Sequence, residues 1–154
     1  MYNKDFEKAI KFTLLREGFI SDEPDDPGKL TIFGISSRWY PKEVAHLKML
    51  INEGKIKEAK QYAIDFFHKE FWLKAGCDSL PYPFNICVFD TAINCGRSRA
   101  KKFLNVYNDW QDYLFRRIEY YASLKSINAK KSLRGWINRT ISLYKEIKKN
   151  MKRR

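Results

Sequence analysis

Residues 14–35, "LLREGFISDEPDDPGKLTIFGI", hold five acids within ten positions: Glu17, Asp22, Glu23, Asp25 and Asp26. The 154-residue chain has only 18 Asp and Glu against 30 Lys and Arg, a formal net charge of +12. So much negative charge gathered in a basic chain asks for a reason. The stretch also marks a change of hydrophobic period. Upstream, Phe6, Ala9, Ile10, Thr13 and Leu14 recur at helical spacing, which predicts a helix over 3–17 with Glu17 one step further along its apolar face. A carboxylate in line with a core stripe is expected to be partly buried. Gly18 is a good terminator for that helix. Downstream, Gly, Pro and Asp punctuate residues 18–36 and "LTIFGIS" has strand character. That pattern predicts a turn and a small hairpin.

The rest of the chain reads as helices. "YPKEVAHLKMLINEG" opens with Pro41 near its first turn and stops at Gly54, as the positional preferences of Pro and Gly dictate. "KIKEAKQYAIDFFHKEFWLKAG" is a further amphipathic helix ending at Gly76. "PFNICVFDTAINCG" is apolar nearly all round, which predicts a buried central helix. Its polar exceptions, Asp90 and Asn94, are four apart and share a face. They are either satisfied buried polar groups or the lining of a cleft. Ser98 is expected to cap a short helix. Asp109 opens a longer one with a stripe of Trp110, Leu114, Arg117 or Ile118, Tyr121 and Leu124. Ser132 is expected to cap the last, with Leu133, Trp136, Ile137, Thr140, Ile141, Tyr144 and Ile147 facing inward. No linker or repeat interrupts the pattern. The expected fold is mainly α: one domain over 1–154, a helical globule with one small β-hairpin after the first helix.

Composition narrows the function. Hydrophobic content of 44% and aromatic content of 16% describe a globular chain long enough to bury a sizeable core. No apolar run is long enough to span a bilayer, and the charged N-terminus does not read as a secretory signal. A cytoplasm is the expected site of synthesis. Cys77, Cys87 and Cys95 are odd in number and lack metal-ligand spacing, so they are expected to be core residues. His46 and His68 stand apart. Neither a metal nor an organic cofactor is expected. The charge requires an anionic partner: nucleic acid, anionic lipid or acidic wall polymer. The basic end, "YKEIKKNMKRR", is either a solvated face or a basic amphipathic helix for an anionic membrane or outer-membrane surface. No nucleic-acid motif appears, and the acidic loop would repel phosphate, so no specific nucleic-acid partner is expected. The chain is expected to act as a monomer.

The acidic stretch admits chemistry. Partial burial against apolar side chains favours the neutral form of a carboxyl group, which suits Glu17 to general acid catalysis. Carboxylates in the water-exposed loop should stay ionised. Two carboxyl groups in unlike environments are what glycosidic cleavage uses: one protonates the leaving oxygen, the other activates water or supports the charge on the sugar. Thr31 lies where its hydroxyl can hold a water, and Gly28 and Gly34 let the backbone approach a bulky chain. The alternatives are a solvated acidic turn or a calcium loop, the latter lacking the alternating acids and closing Glu of a standard one.

The order of these residues adds to that reading. Glu17-Gly18, Asp25-Asp26-Pro27-Gly28, Thr31 and Phe33-Gly34-Ile35 resemble the signature of glycoside hydrolase family 108. The likeness continues through "FWLKAGCDSLPYPFNICVFDTAINCG" and ends with "RGWINR". Phe19, Lys29 and Phe33 depart from the family's Gly, Gly and Tyr. The resemblance implies an α+β, lysozyme-like muramidase of the endolysin type that cuts the peptidoglycan glycan chain after release from the cytoplasm. It implies Glu17 as catalytic acid, Asp25 or Asp26 as second carboxylate and Thr31 as the residue that positions water. Asp90, Asn94, Phe33, Trp136 and Arg139 become substrate-binding candidates, with Arg139 or Arg134 a partner for Glu17. The chain would divide into a catalytic lobe over 1–80 and a helical lobe over 81–154, a candidate for peptidoglycan binding. A lytic transglycosylase, a hydrolase of chitin-like polymer and a non-catalytic basic binding protein are the alternatives.

Overall fold

In a computed structural model of the chain, residues 1–22, 30–104 and 109–153 are described. They form two compact units, Met1–Glu70 and Phe71–Arg154.

The first unit opens with α1, Lys4–Glu17. Asn3 caps it, its side-chain oxygen accepting the Asp5 amide at 2.7 Å, and Asp5 and Glu7 place negative charge on the positive end of the helix dipole. The predicted stripe is the buried face, with Phe6, Ala9, Ile10 and Thr13 inside. Gly18 ends the helix in the left-handed region, φ 71°, its amide closing on the Leu14 carbonyl. The hairpin proves to be a three-stranded antiparallel meander: β1 Ile20–Asp22, β2 Leu30–Ile32 and β3 Ile35–Ser36, in the order β1-β2-β3. Residues 20–22, read from sequence as turn, pair with β2 in the register Ile20 with Ile32 and Ser21 with Thr31. Next comes α2, Pro41–Asn52, packed on β2 and β3 through a face that buries Val44, Leu47 and Leu50. Pro41 sits at its start, where the missing amide costs nothing. Lying on α2 is α3, Ile56–Phe67, where Ala59 and Ala63 are fully buried and let the helices approach closely. The helix predicted to reach Gly76 changes pitch at His68 and continues as a π-helical turn, His68–Leu73.

The second unit is built on α4, Phe84–Cys95, whose residues from Asn85 to Ala92 are all buried. Against it pack α5, Arg97–Lys102, and α6, Trp110–Ser123, and against α6 packs α7, Ile127–Lys152. Two expected caps are corrected. The short helix starts at Arg97 with Gly96, φ 92°, as N-cap, because the glycine that ends α4 also begins α5; Ser98 lies inside. The last helix is capped by Ser126, whose Oγ accepts the Ala129 amide at 3.1 Å, not by Ser132. Residues 127–131 have no breaker, so the helix extends upstream to the first usable serine. Asp109 caps α6 as expected, accepting the Asp112 amide at 2.8 Å. Along α7 the expected inward stripe is only partly covered: Thr140 and Ile147 are buried, with Leu143 beside them, whereas Ile141 and Tyr144 are exposed. Among the described residues no helix is long and apolar enough to cross a membrane.

Candidate functional site

In the first unit the site is assembled by the end of α1 and the tip of the β2–β3 hairpin. Glu17 is the last residue of α1 and is half-buried, as its place on the stripe requires. The hairpin that meets it turns through two residues, Phe33 and Gly34, between the paired Ile32 and Ile35. Both have positive φ, 51° and 83°, the signature of a type I′ turn, which matches the twist of the strands and favours Asn-Gly. Gly is at home there; Phe is not, and a bulky residue in the left-handed region costs about 1–3 kcal/mol. What holds Phe33 is visible. Its ring is buried and packs on Phe19 at 4.9 Å between centroids, and its amide donates to the Phe19 carbonyl at 2.6 Å. The strained turn is thereby fixed against the residue that leads out of α1.

Gly34 explains why the turn must sit so close. A Cβ at that position would lie 2.6 Å from Glu17 Cγ and 2.8 Å from Glu17 Cβ. The bare glycine backbone is therefore the wall against which the acid's side chain rests. Substituting Gly34→Ala should displace Glu17 as well as strain the turn. The expected outcome is a loss of roughly 1–3 kcal/mol in thermal unfolding together with a fall of about tenfold or more in any activity that depends on the Glu17 carboxyl group, larger than the change in folded population explains. Wild-type turnover by a folded Gly34→Ala protein would remove Gly34 from this role.

Thr31 is half-buried in the central strand. It stands opposite Ser21 on one side and Ser36 on the other. Directly opposed residues share a face of an antiparallel sheet, so three hydroxyl residues form a row across the three strands. Asp25 and Asp26, the two candidates for the second carboxylate, lie outside the described residues. Phe33 is found at the hairpin tip, where its ring is engaged with Phe19.

The remaining candidates gather in the second unit around Asp90, which is only 1% exposed. Arg117 Nη1 donates to its Oδ2 at 2.6 Å. Arg139 donates from Nη2 and Nε to Oδ1 at 2.9 and 3.2 Å. Asn94 donates to the Asp90 carbonyl at 2.7 Å and to Oδ2 at 3.3 Å. Burial by itself would push this carboxyl group up; the guanidiniums of Arg139 and Arg117 outweigh it and hold the group below the ordinary carboxylate range. Arg117 also donates from Nε to Tyr121 Oη at 3.0 Å, and Trp136 stacks on Tyr121 at 4.9 Å. The geometry joins Asp90, Asn94, Arg139 and, one ring away, Trp136. Asp90 is the anionic centre of this cluster, its carboxylate accepting from Arg117, Arg139 and Asn94. Arg117 completes the cluster and was read from sequence only as one of two residues on a stripe. The signal was present: a cation on one apolar stripe and an acid on another are each other's cheapest partners.

The composition of elements, helices with one small three-stranded antiparallel sheet that follows the first helix, is mainly α and lysozyme-like. A family model described as glycosyl hydrolase 108 matches residues 10–96. The chain belongs to that family, and is by that membership a glycoside hydrolase. Among solved structures, SagA of Brucella abortus matches at 21% identity, with 92% of each chain covered and a TM-score of 0.69, a likeness of fold. No curated protein matches the chain. The family match contains Glu17, Thr31, Phe33, Gly34, Asp90 and Asn94 and ends just past α4.

Proposed function

We propose that the protein is a peptidoglycan-degrading muramidase of the endolysin type, hydrolysing the bond between N-acetylmuramic acid and N-acetylglucosamine. The observation that carries this reading is the seat of Glu17: a half-buried acid at the end of α1, against the glycine of a strained turn, in a chain of a glycoside hydrolase family. Glu17 delivers its proton to the glycosidic oxygen as the bond from that oxygen to the sugar carbon breaks. Asp25 or Asp26 supports the positive charge on the sugar or takes a proton from the attacking water, whose oxygen bonds to the same carbon. Thr31, in the hydroxyl row, orients that water. The chemistry calls for no metal or organic cofactor. The high positive charge draws the protein to an anionic wall, and it acts there as a monomer after release from the cytoplasm in which it folds.

Digestion of purified peptidoglycan followed by mass analysis of the fragments tests the reaction. The expected products together gain one water per cut, and each new reducing end is N-acetylmuramic acid. Reducing N-acetylglucosamine ends would reassign the bond, and anhydro ends without added water would make the protein a lytic transglycosylase.

A further inference from the structure

The stripe that α7 leaves uncovered has a partner face on α6. Gln111, Leu114, Phe115 and Ile118 follow one another at helical spacing on α6, and with Thr140, Ile141 and Tyr144 of α7 they line an open hollow of about 370 Å³. Its rim is apolar and wet: Phe115 is 63% exposed, Ile141 41% and Tyr144 39%. The wall is fixed, because the Tyr144 ring stacks on the buried Trp110 at 5.5 Å and 27°. Large apolar side chains held open to water in a rigid groove are unusual on a monomer's surface and mark a binding face.

The groove does not end at Tyr144. Tyr144 and Lys145 also border a second hollow, whose other lining residues are Lys148, Lys149, Lys152 and Arg153. Residues 141, 144, 145, 148, 149 and 152 fall at i, i+3, i+4, i+7, i+8 and i+11 and so lie on one side of the helix. Along α7 the surface therefore passes from apolar to cationic with no acid lining either hollow. The whole helix carries eight Lys and Arg against one acid, Glu146.

We propose that this face of α6 and α7 docks on the surface of an anionic phospholipid bilayer. Phe115, Ile118, Ile141 and Tyr144 enter the boundary between headgroups and acyl chains, and the lysine row lies along the lipid phosphates with its stems over the apolar rim. Charge complementarity and the apolar hollow together choose this occupant. A nucleic acid would match the lysines but leave the apolar rim in water. An apolar peptide would fill the hollow and leave the lysines unmatched. An amphiphilic surface matches both.

Sedimentation of the full-length protein with vesicles tests this, using equimolar phosphatidylglycerol and phosphatidylcholine against phosphatidylcholine alone. Wild type should pellet with the anionic vesicles and stay in solution with the neutral ones. The double variant Phe115→Ser/Ile141→Ser, which alters only exposed positions, should bind about tenfold more weakly from lost apolar burial. Lys148→Glu/Lys149→Glu should bind about thirtyfold more weakly or worse and lose most of its salt dependence. Both variants should melt like wild type and digest lipid-free peptidoglycan at the wild-type rate, which separates this face from the hydrolytic site. Failure of wild type to pellet with anionic vesicles overturns the proposal. So does unchanged binding by Phe115→Ser/Ile141→Ser, or a duplex DNA that displaces the protein from vesicles and binds that variant as well as wild type; each would leave a surface that reads charge alone.

Discussion

Glu17→Gln should fold like the wild type and digest peptidoglycan about a thousandfold more slowly. Glutamine keeps the length of the side chain and its rest against Gly34, where the nearest approach is to the Cβ and Cγ that the two residues share. Packing is preserved and the transferable proton is lost. General acid catalysis by a placed carboxyl group supplies on the order of 10²–10⁴ in rate, and departure of an unprotonated sugar alkoxide has no other donor in the proposed mechanism. Release of reducing ends from purified peptidoglycan measures the effect, with thermal melts confirming the fold. The informative comparison is with Gly34→Ala. That substitution leaves the acid present but moved, so it should retain a measurable part of the activity that Glu17→Gln removes. Clearance of cell walls by folded Glu17→Gln at the wild-type rate would remove Glu17 from the chemistry.

Asp90→Asn should cost stability on a comparable scale. The carboxylate is shared by Arg117, which is 0% exposed, and Arg139. Neutralising it leaves the Arg117 charge buried without a counter-ion, a change worth about 3–5 kcal/mol. Arg117 has little in reserve, since its Nη2 finds no hydrogen-bond partner among the described residues. For a chain of this size the loss corresponds to a fall in melting temperature of roughly 10 °C. Adding Arg117→Met to Asp90→Asn should recover part of it, because both members of the buried pair are then gone and Arg139 is near enough to the surface to turn toward water.

The same carboxylate sets an acid limit. Its folded-state pKa is held below that of the unfolded chain by the two guanidiniums. Its contribution to stability is therefore complete above the unfolded value of about 4 and is lost as pH falls through the folded value. Between those two values the unfolded state binds more protons, so stability rises with pH. Wild-type melting temperature should drop as pH falls below about 4, and Asp90→Asn should lack that part of the decline. An acid limb of equal depth in both proteins would mean that Asp90 is not the group responsible.

Much of this architecture was legible because it depends on local chemistry. The period of Phe6, Ala9, Ile10 and Thr13 gave α1, and Glu17 fell on its inner edge. The near-continuous apolar run from Phe84 gave the buried α4. What was missed depends on choices between equals or on distant partners. Ser126 and Ser132 offer the same capping chemistry, and helix propagation through the residues between them decides in favour of the first. Residues 20–22 carry little strand character of their own; pairing with β2 makes them a strand. The role of Arg117 depends on Asp90, 27 positions away in the chain. Gly34 was expected to let the backbone approach a bulky chain; that the Glu17 side chain rests against it is a contact that no pattern within the chain announces. The exposure of Ile141 and Tyr144 was hidden for a related reason: an apolar stripe looks the same in sequence whether the face it needs lies in the same molecule or outside it.

The three cysteines bear on where this molecule can work. Cys77, Cys87 and Cys95 are all buried and free. Burial pushes the Cys77 thiol up to about 12 and raises Cys87 and Cys95 as well, so at neutral pH little of the nucleophilic thiolate exists in any of them. A protein built in a reducing compartment and delivered to an oxidising one usually risks new covalent links on the way. Here the sulfur atoms are packing material, and exposure to an oxidising medium should leave the covalent skeleton unchanged.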